Sequence, residues 1–181
     1  MNIRNLTLHF VTFIFCLNTT VVMADQYTVQ QVEDGDTLVI EIDAKPERIQ
    51  LRGIDAPEDT RNPKLTRDIQ RTELSEEALL NLGKQATEHL KSLITPGQQV
   101  RLTGDLTQRD KYGRISLIIT KTNNYSINET MVADGYAVVL KRQPLEEAFK
   151  SRLKQQEADA IAGKRGLWGE YREDAMSWSG R

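Results

Sequence analysis

The chain has 181 residues, with 24 Lys and Arg against 26 Asp and Glu, giving a formal charge of −2. That balance excludes the strongly basic footprint usual in a dedicated nucleic-acid binder. One cysteine, Cys16, and two histidines, His9 and His89, leave little for thiolate or zinc sites or a Ser-His-Asp triad, so carboxylates and arginines must carry any chemistry.

Residues 1–24 read as a secretory signal peptide. Arg4 supplies the positive start, and Leu6 to Leu17 is apolar apart from Thr7, His9 and Thr12. Val22-Met-Ala24 offers a small-residue cleavage site. The apolar run is shorter than the roughly 18 residues a membrane span needs, and Phe13-Ile-Phe before Cys16 makes a poor lipoprotein signal. Cleavage removes Cys16 and His9, leaving a chain without disulfides that must be stable by packing alone. The expectation is an exported monomer, periplasmic or secreted, without stable membrane association. The remainder is long enough for one domain with a core. Residues 25–169 read as that domain and residues 170–181 as a polar, mobile tail.

Tyr27 to Glu33 and Asp36 to Ile42 are β-rich runs joined through an Asp-Gly turn, the pattern of a hairpin. Glu47 to Ile54 predicts a third strand, in which Arg48, Gln50 and Arg52 share one face by period two. Asp59 to Leu74 is polar, contains Pro63, and is long for a loop, which points to a functional or partly helical insert. Its basic residues Arg61, Lys64, Arg67 and Arg71 suit either a solvated loop or the steering of a polyanion.

Ser75 to Ile94 carries Leu79, Leu82, Ala86, Leu90 and Leu93 at helical spacing, with Pro96-Gly97 as a stop and Gly83 as a potential break. His89 reads as an exposed residue of that helix. Gln98 to Thr107 and Arg114 to Lys121 predict two strands around an Asp110-Lys-Tyr-Gly turn. Ile127 to Ala133 predicts a short helix, and Tyr136 to Leu140 an extended run. Pro144 is placed to open a last helix, with Lys164 and Arg165 near its end. Five strands, a helix inserted between the third and fourth, and helices after them describe an α+β chain. Its plan is a five-stranded OB-fold β-barrel with about three flanking helices.

The chemistry concentrates in Asp34-Gly-Asp-Thr37, Arg52-Gly-Ile-Asp-Ala-Pro-Glu58 and Asp110-Lys-Tyr-Gly-Arg114. Asp36, Asp55 and Glu58 offer hard oxygen ligands and a base, and Arg52 and Arg114 offer positive charge. Phosphodiester hydrolysis calls for that mixture: a cation on the phosphate, a carboxylate beside the water, and an arginine for the transition-state charge. Asn124 and Asn128 begin Asn-x-Ser/Thr sequons, relevant only where the source glycosylates.

With Asn128 to Gly135 and Gly166-Leu-Trp-Gly169 added, these pieces stand in an order and spacing that resembles the staphylococcal-nuclease-like, or thermonuclease, family over about Gln26 to Gly169. The resemblance implies a calcium-dependent nuclease on an OB-fold barrel, cutting DNA and RNA with little sequence preference. It implies that Asp36 and Asp55 are the Ca2+ carboxylates and that Ala56 lends its backbone carbonyl. Glu58 then orients or activates the attacking water, Arg114 holds the phosphate, and Lys111 and Tyr112 line the nucleotide pocket.

The sequence departs from the family at the second phosphate arginine, where Gln50 stands, and at Lys141 and Gln143, where family members can carry tyrosines. Such an arginine is worth roughly 10³–10⁵ in rate in phosphoryl transfer. Two substitutes share the Gln50 strand face, Arg52 first and Arg48 second; alternatively Arg52 only pairs with a surface acid. Two functional readings therefore stand: an exported metal-dependent nuclease, and a catalytically impaired OB-fold module that binds nucleic acid.

Overall fold

The computed structural model describes residues 25–181, and the predicted signal peptide lies outside them. The strands are β1 Tyr27–Val32, β2 Thr37–Ile42, β3 Lys45–Leu51, β4 Ile54–Asp55, β5 Gln99–Thr103, β6 Ile115–Lys121 and β7 Val138–Val139. The helices are α1 Pro63–Thr72, α2 Glu76–Leu93, α3 Ile127–Ala133, α4 Glu147–Ala162 and α5 Arg172–Ser179, with a 3₁₀ turn at Gly166–Trp168.

Five strands close into a barrel in the order β1-β2-β3-β6-β5, with β1 pairing back to β5. All neighbours are antiparallel except β3 and β6, which run parallel. This is the OB-type barrel that the strand pattern predicts. Period two drives it: Leu38, Ile40 and Ile42 of β2 are buried while Glu41 is exposed, and Ile49 and Leu51 of β3 face inward beside exposed Arg48. The short pair β4–β7 lies outside the barrel sheet.

Five helices surround the barrel where about three were expected: α1 fills the segment expected to be a functional or partly helical insert, and α5 forms in the expected mobile tail. Within Asp59 to Leu74, Asn62 caps α1 by accepting from the N–H groups of Lys64 and Leu65, and Pro63 sits at the first position. In the expected mobile tail, α5 buries Ala175 and Trp178, while Tyr171 packs on the same cluster. Those three recur at helical spacing, a signal masked by the polar residues around them.

The tail is held by directed bonds as well. Trp178 donates from Nε1 to Asp68 of α1 at 3.3 Å, and Arg71 donates to the Trp178 carbonyl at 2.8 Å. Arg181 ends the chain on Glu157 at 2.7 Å and on the Val139 carbonyl at 2.8 Å.

Three local expectations change. α4 opens at Glu147 rather than at Pro144, because the Glu146 carboxylate caps the N–H groups of Ala148 and Phe149. His89 is partly buried: it stacks on Tyr136 at 4.0 Å and meets Asp134 at 2.9 Å. Asn128 is fully buried and ties the middle of β6 to the residue after β3, accepting from Ile119 N–H and donating to the Arg52 and Leu117 carbonyls. Its amide is thus committed to the interior and closed to glycosylation. Among the described residues, no helix is long and apolar enough to cross a membrane.

Trp178 is 3% exposed, so α5 is a structural part of the domain. Trp178→Ala should cost about 3–5 kcal/mol, as for other large aromatic truncations in cores. Urea unfolding measures this, and a loss within about 0.5 kcal/mol, the surface norm, would return the segment to the status of a loose tail.

Candidate active site

The site is built on the side of α2 that faces the β1–β2 turn. Gly35 and Gly83 let two backbones approach it. A Cβ on Gly35 would fall 2.8 Å from the Ala86 Cβ and 2.9 Å from the Ala56 Cβ, so the turn, the helix and the Ala56 loop meet at that point. A Cβ on Gly83 would fall 2.1 Å from the Glu58 carbonyl oxygen. Gly83 therefore does not divide the helix; it is the groove in which the Glu58–Asp59 backbone lies. Thr87, one turn further on, donates to Asp59 at 2.7 Å and fixes the loop there.

On this platform two acids are drawn out of water. Asp36 follows a tight turn in which its own N–H donates to Asp34 at 3.0 Å. Its carboxylate accepts from the Thr37 hydroxyl at 3.0 Å and from the Ala56 N–H at 3.1 Å. Burial, with Asp34 and Asp55 adding repulsion, pushes the Asp36 carboxyl up to about 8, although Lys64 and the Ala56 N–H oppose the shift. Asp55, at the end of β4, is also raised, mainly by burial. The motif residues Asp36, Asp55, Ala56 and Glu58 thus converge on one end of the barrel.

A further residue joins them. Lys64, on the first turn of α1, places Nζ 2.7 Å from Glu58 Oε1, 3.1 Å from Asp55 Oδ1 and 2.9 Å from the Ala56 carbonyl. Burial works against its charge, but Asp55, Glu58 and Asp36 outweigh that and hold the ammonium above the ordinary lysine range. Asn62 completes the arrangement. While its Oδ1 caps α1, its Nδ2 donates to Glu58 Oε2. Sequence reasoning grouped Lys64 with a basic run and passed over Asn62; the Asn-Pro start of a helix four residues beyond Glu58 was the available signal.

The remaining members of the basic run serve other ends. Arg61 pairs with Glu76 at 2.6 Å and Arg71 with Asp68 at 2.9 Å. Arg67 lies beside the Tyr112 hydroxyl and, with Lys111, lowers its pKa. Tyr112 is 49% exposed, with Lys111 Nζ 5.0 Å and Arg114 Cζ 5.3 Å from the ring centre. An exposed ring ringed by cations suits a base or a phosphate. α1 connects this ring to the acids, since Lys64 and Arg67 are one turn apart on it.

The predicted arginines are placed differently from one another. Arg114 pairs with Asp110 at 2.9 Å, and Asp110 also accepts the N–H groups of Tyr112 and Arg114, so the turn holds its own arginine. Gln50 stands opposite Thr37 and Ser116, beside the Asp36 turn. Arg48 is paired with Glu33 at 2.7 Å. Arg52 donates to the Pro144 carbonyl at 3.2 Å and lines a shallow groove with Asp105, Gln108, Ser116 and Gln143. Among the described residues it makes no ion pair, so the surface pairing considered for it is absent. Gln143 instead bridges Gly53 N–H and the Ser116 hydroxyl.

Asp36, Asp55 and the Ala56 carbonyl offer oxygen donors of the kind a hard divalent cation takes, and Glu58, paired with Lys64, stands beside them. Among the described residues, no three Asp, Glu, His or Cys side chains are gathered into a ready-made cage.

Because the Asp36 carboxyl is raised in the fold, its contribution is most favourable below the ordinary value near 3.8 and is lost as pH climbs towards about 8. In chelator, stability should therefore fall across that window, by at most about 1.4 kcal/mol per pH unit from this group. Asp36→Asn should flatten the fall. Chemical denaturation at a series of pH values measures it; an unchanged slope would mean that Asp36 ionises as easily folded as unfolded.

Residues 48–170 match the family described as Staphylococcal nuclease homologue. The thermonuclease of Staphylococcus intermedius is 29% identical over 154 residues, covering 85% of this chain and 82% of that protein. The thermonuclease of Staphylococcus hyicus is 28% identical over 142 residues, covering 78% and 75%. An Escherichia coli protein named as an uncharacterized endonuclease is 30% identical over 159 residues, covering 86% and 85%. The family match runs from β3 past the end of α4 and takes in more than half of the sequence, and the chain belongs to the staphylococcal nuclease homologue family.

Proposed function

We propose that this nuclease-family chain is an exported, calcium-dependent endonuclease that hydrolyses phosphodiester bonds of DNA, RNA or both with low sequence specificity. The observation that carries it is the buried Asp36 beside the partly buried Asp55, with Glu58 held by Asn62. Buried like charges are costly unless a cation or a proton neutralises them, and a fold with no use for them would lose them. Export rests on the residue pattern of 1–24.

In this reading Asp36, Asp55 and the Ala56 carbonyl hold Ca2+, which when bound supplies positive charge to a phosphate oxygen. Glu58 takes the proton of the attacking water. Asn62 fixes its carboxylate through Oε2, and the Gly83 contact fixes its backbone. Arg114 exchanges Asp110 for the phosphate and stabilises the charge that grows on it. Lys111, Arg67 and Tyr112 orient the adjoining nucleotide. The Asp110 pairing keeps Arg114 in place until substrate arrives.

One observation favours the second reading, a catalytically impaired nucleic-acid-binding module. Gln50 brings no charge to the strand beside Asp36, and a lysine already occupies the acids. Digestion of plasmid and single-stranded DNA by the protein without residues 1–24 decides the matter. Cleavage with calcium that stops in chelator supports the nuclease; binding without cleavage at any metal concentration supports the module.

Glu58→Gln should retain calcium binding and lose about 10²–10⁴ in rate, the usual range for a general base. Turnover unchanged at saturating calcium would remove Glu58 from that role.

Arg52 is the proposed substitute for the arginine missing at Gln50, since Arg48 is already committed to Glu33. Arg52→Ala should then lose at least about tenfold more activity than Arg48→Ala, or about 1.4 kcal/mol of barrier, and Gln50→Arg should rescue it. A silent Arg52→Ala, with Gln50→Arg alone raising the rate, would mean that nothing replaces the missing charge.

A further inference from the structure

The Lys64 ammonium does not approach the acidic cluster from its rim; it binds Asp55 Oδ1, Glu58 Oε1 and the Ala56 carbonyl together. Two of those three oxygens belong to residues assigned above to the metal. We propose that Lys64 is a tethered cation that fills the metal-holding oxygens when no metal is bound and must leave when calcium enters. The inference rests on the assignment of Asp36, Asp55 and Ala56 as the metal-holding residues.

Three features support the exchange. First, the donors are shared. A cation on Asp55 and the Ala56 carbonyl takes the lone pairs the ammonium holds and brings two positive charges against a third in a site largely removed from water. Second, the ammonium is delivered by a fixed element. Asn62 caps α1 and Trp178 with Arg71 clamps its other end, so the start of the side chain is fixed while its four-carbon stem can swing. Third, the lysine has somewhere to go. Its side chain remains 28% exposed, and Glu58, its nearest partner, is not one of the metal-holding residues.

The exchange has two consequences for the protein. Without metal, the ammonium offsets the repulsion between the Asp55 and Glu58 carboxylates that it joins. With metal, part of the binding energy is spent on expelling it, so affinity is lower than the oxygen set alone would give. The released ammonium then stands beside Glu58, where a phosphate oxygen arrives.

Two measurements on the full chain without residues 1–24 test this. The first is amine-reactive labelling of the wild-type protein, mapped by mass spectrometry. Lys64 should be protected in chelator and become several-fold more reactive with calcium, while exposed Lys154 on α4 serves as the reference. The second is calcium titration by calorimetry. Lys64→Met should bind at least tenfold more tightly than wild type and gain more in Tm from calcium, whereas Lys64→Arg, which keeps the charge, should stay near wild type. A Lys64→Met protein that folds only with calcium also supports the exchange.

Unchanged Lys64 labelling while calcium binds, equal or weaker calcium affinity in folded Lys64→Met, or no calcium binding by the wild type would each overturn it. These outcomes are separate from the nuclease reading. Wild type that cuts DNA with calcium while Lys64→Met binds no tighter leaves the nuclease and removes the competition. Tighter binding without cleavage in wild type does the reverse.

Discussion

Carboxylates crowded at one end of a barrel repel one another, and much of this end of the molecule works to hold them there. At an effective dielectric near 20, two like charges 4 Å apart repel by about 4 kcal/mol, comparable with much of the net stability of a domain. The fold meets that repulsion with rigidity from α2 and with charge from α1. The absence of side chains at Gly35 and Gly83 lets two acid-bearing backbones lie directly against α2. Thr87 and Asn62 then fix the adjacent carboxylates of Asp59 and Glu58.

The charge comes from an element that could not form by itself. A ten-residue helix in isolation is marginal in water, and α1 buries only Leu65 and Asp68. It persists because Asn62 caps it and because α5 closes over it through Trp178, Asp68 and Arg71. The last residues of the chain thereby fix the position of Lys64. The acid-bearing end of the barrel and the C-terminal helix are joined through α1, although more than a hundred residues separate them in sequence.

The sequence shows best what is local. The barrel strands were legible because period two and Asp-Gly or Pro-Gly punctuation are written in adjacent residues. The acids were legible because Asp36, Asp55 and Glu58 lie in short motifs on strand ends. α1 and α5 were not, because their stability is tertiary: Trp178 means little until Asp68 is across from it. His89 was misread for the same reason, since its partners Asp134 and Tyr136 come from α3 and the turn after it. Lys64 was visible only as one charge in a run. Its role depends on a helix that starts at Asn62 and so points the first-turn lysine back at the loop preceding it.

The basic run therefore reads differently once folded. Arg61 and Arg71 are paired with acids of their own surroundings, Lys64 faces Asp55, Glu58 and the Ala56 carbonyl, and Arg67 faces Tyr112. One helix supplies cations to two neighbouring sites at a spacing of one turn. In a chain of net charge −2, that concentration puts two cations of one helix beside the acids and the exposed Tyr112 ring. It also bears on Gln50. That strand position brings no charge of its own, and α1 brings Lys64 to Asp55 and Glu58, so any strand-side charge is left to Arg52.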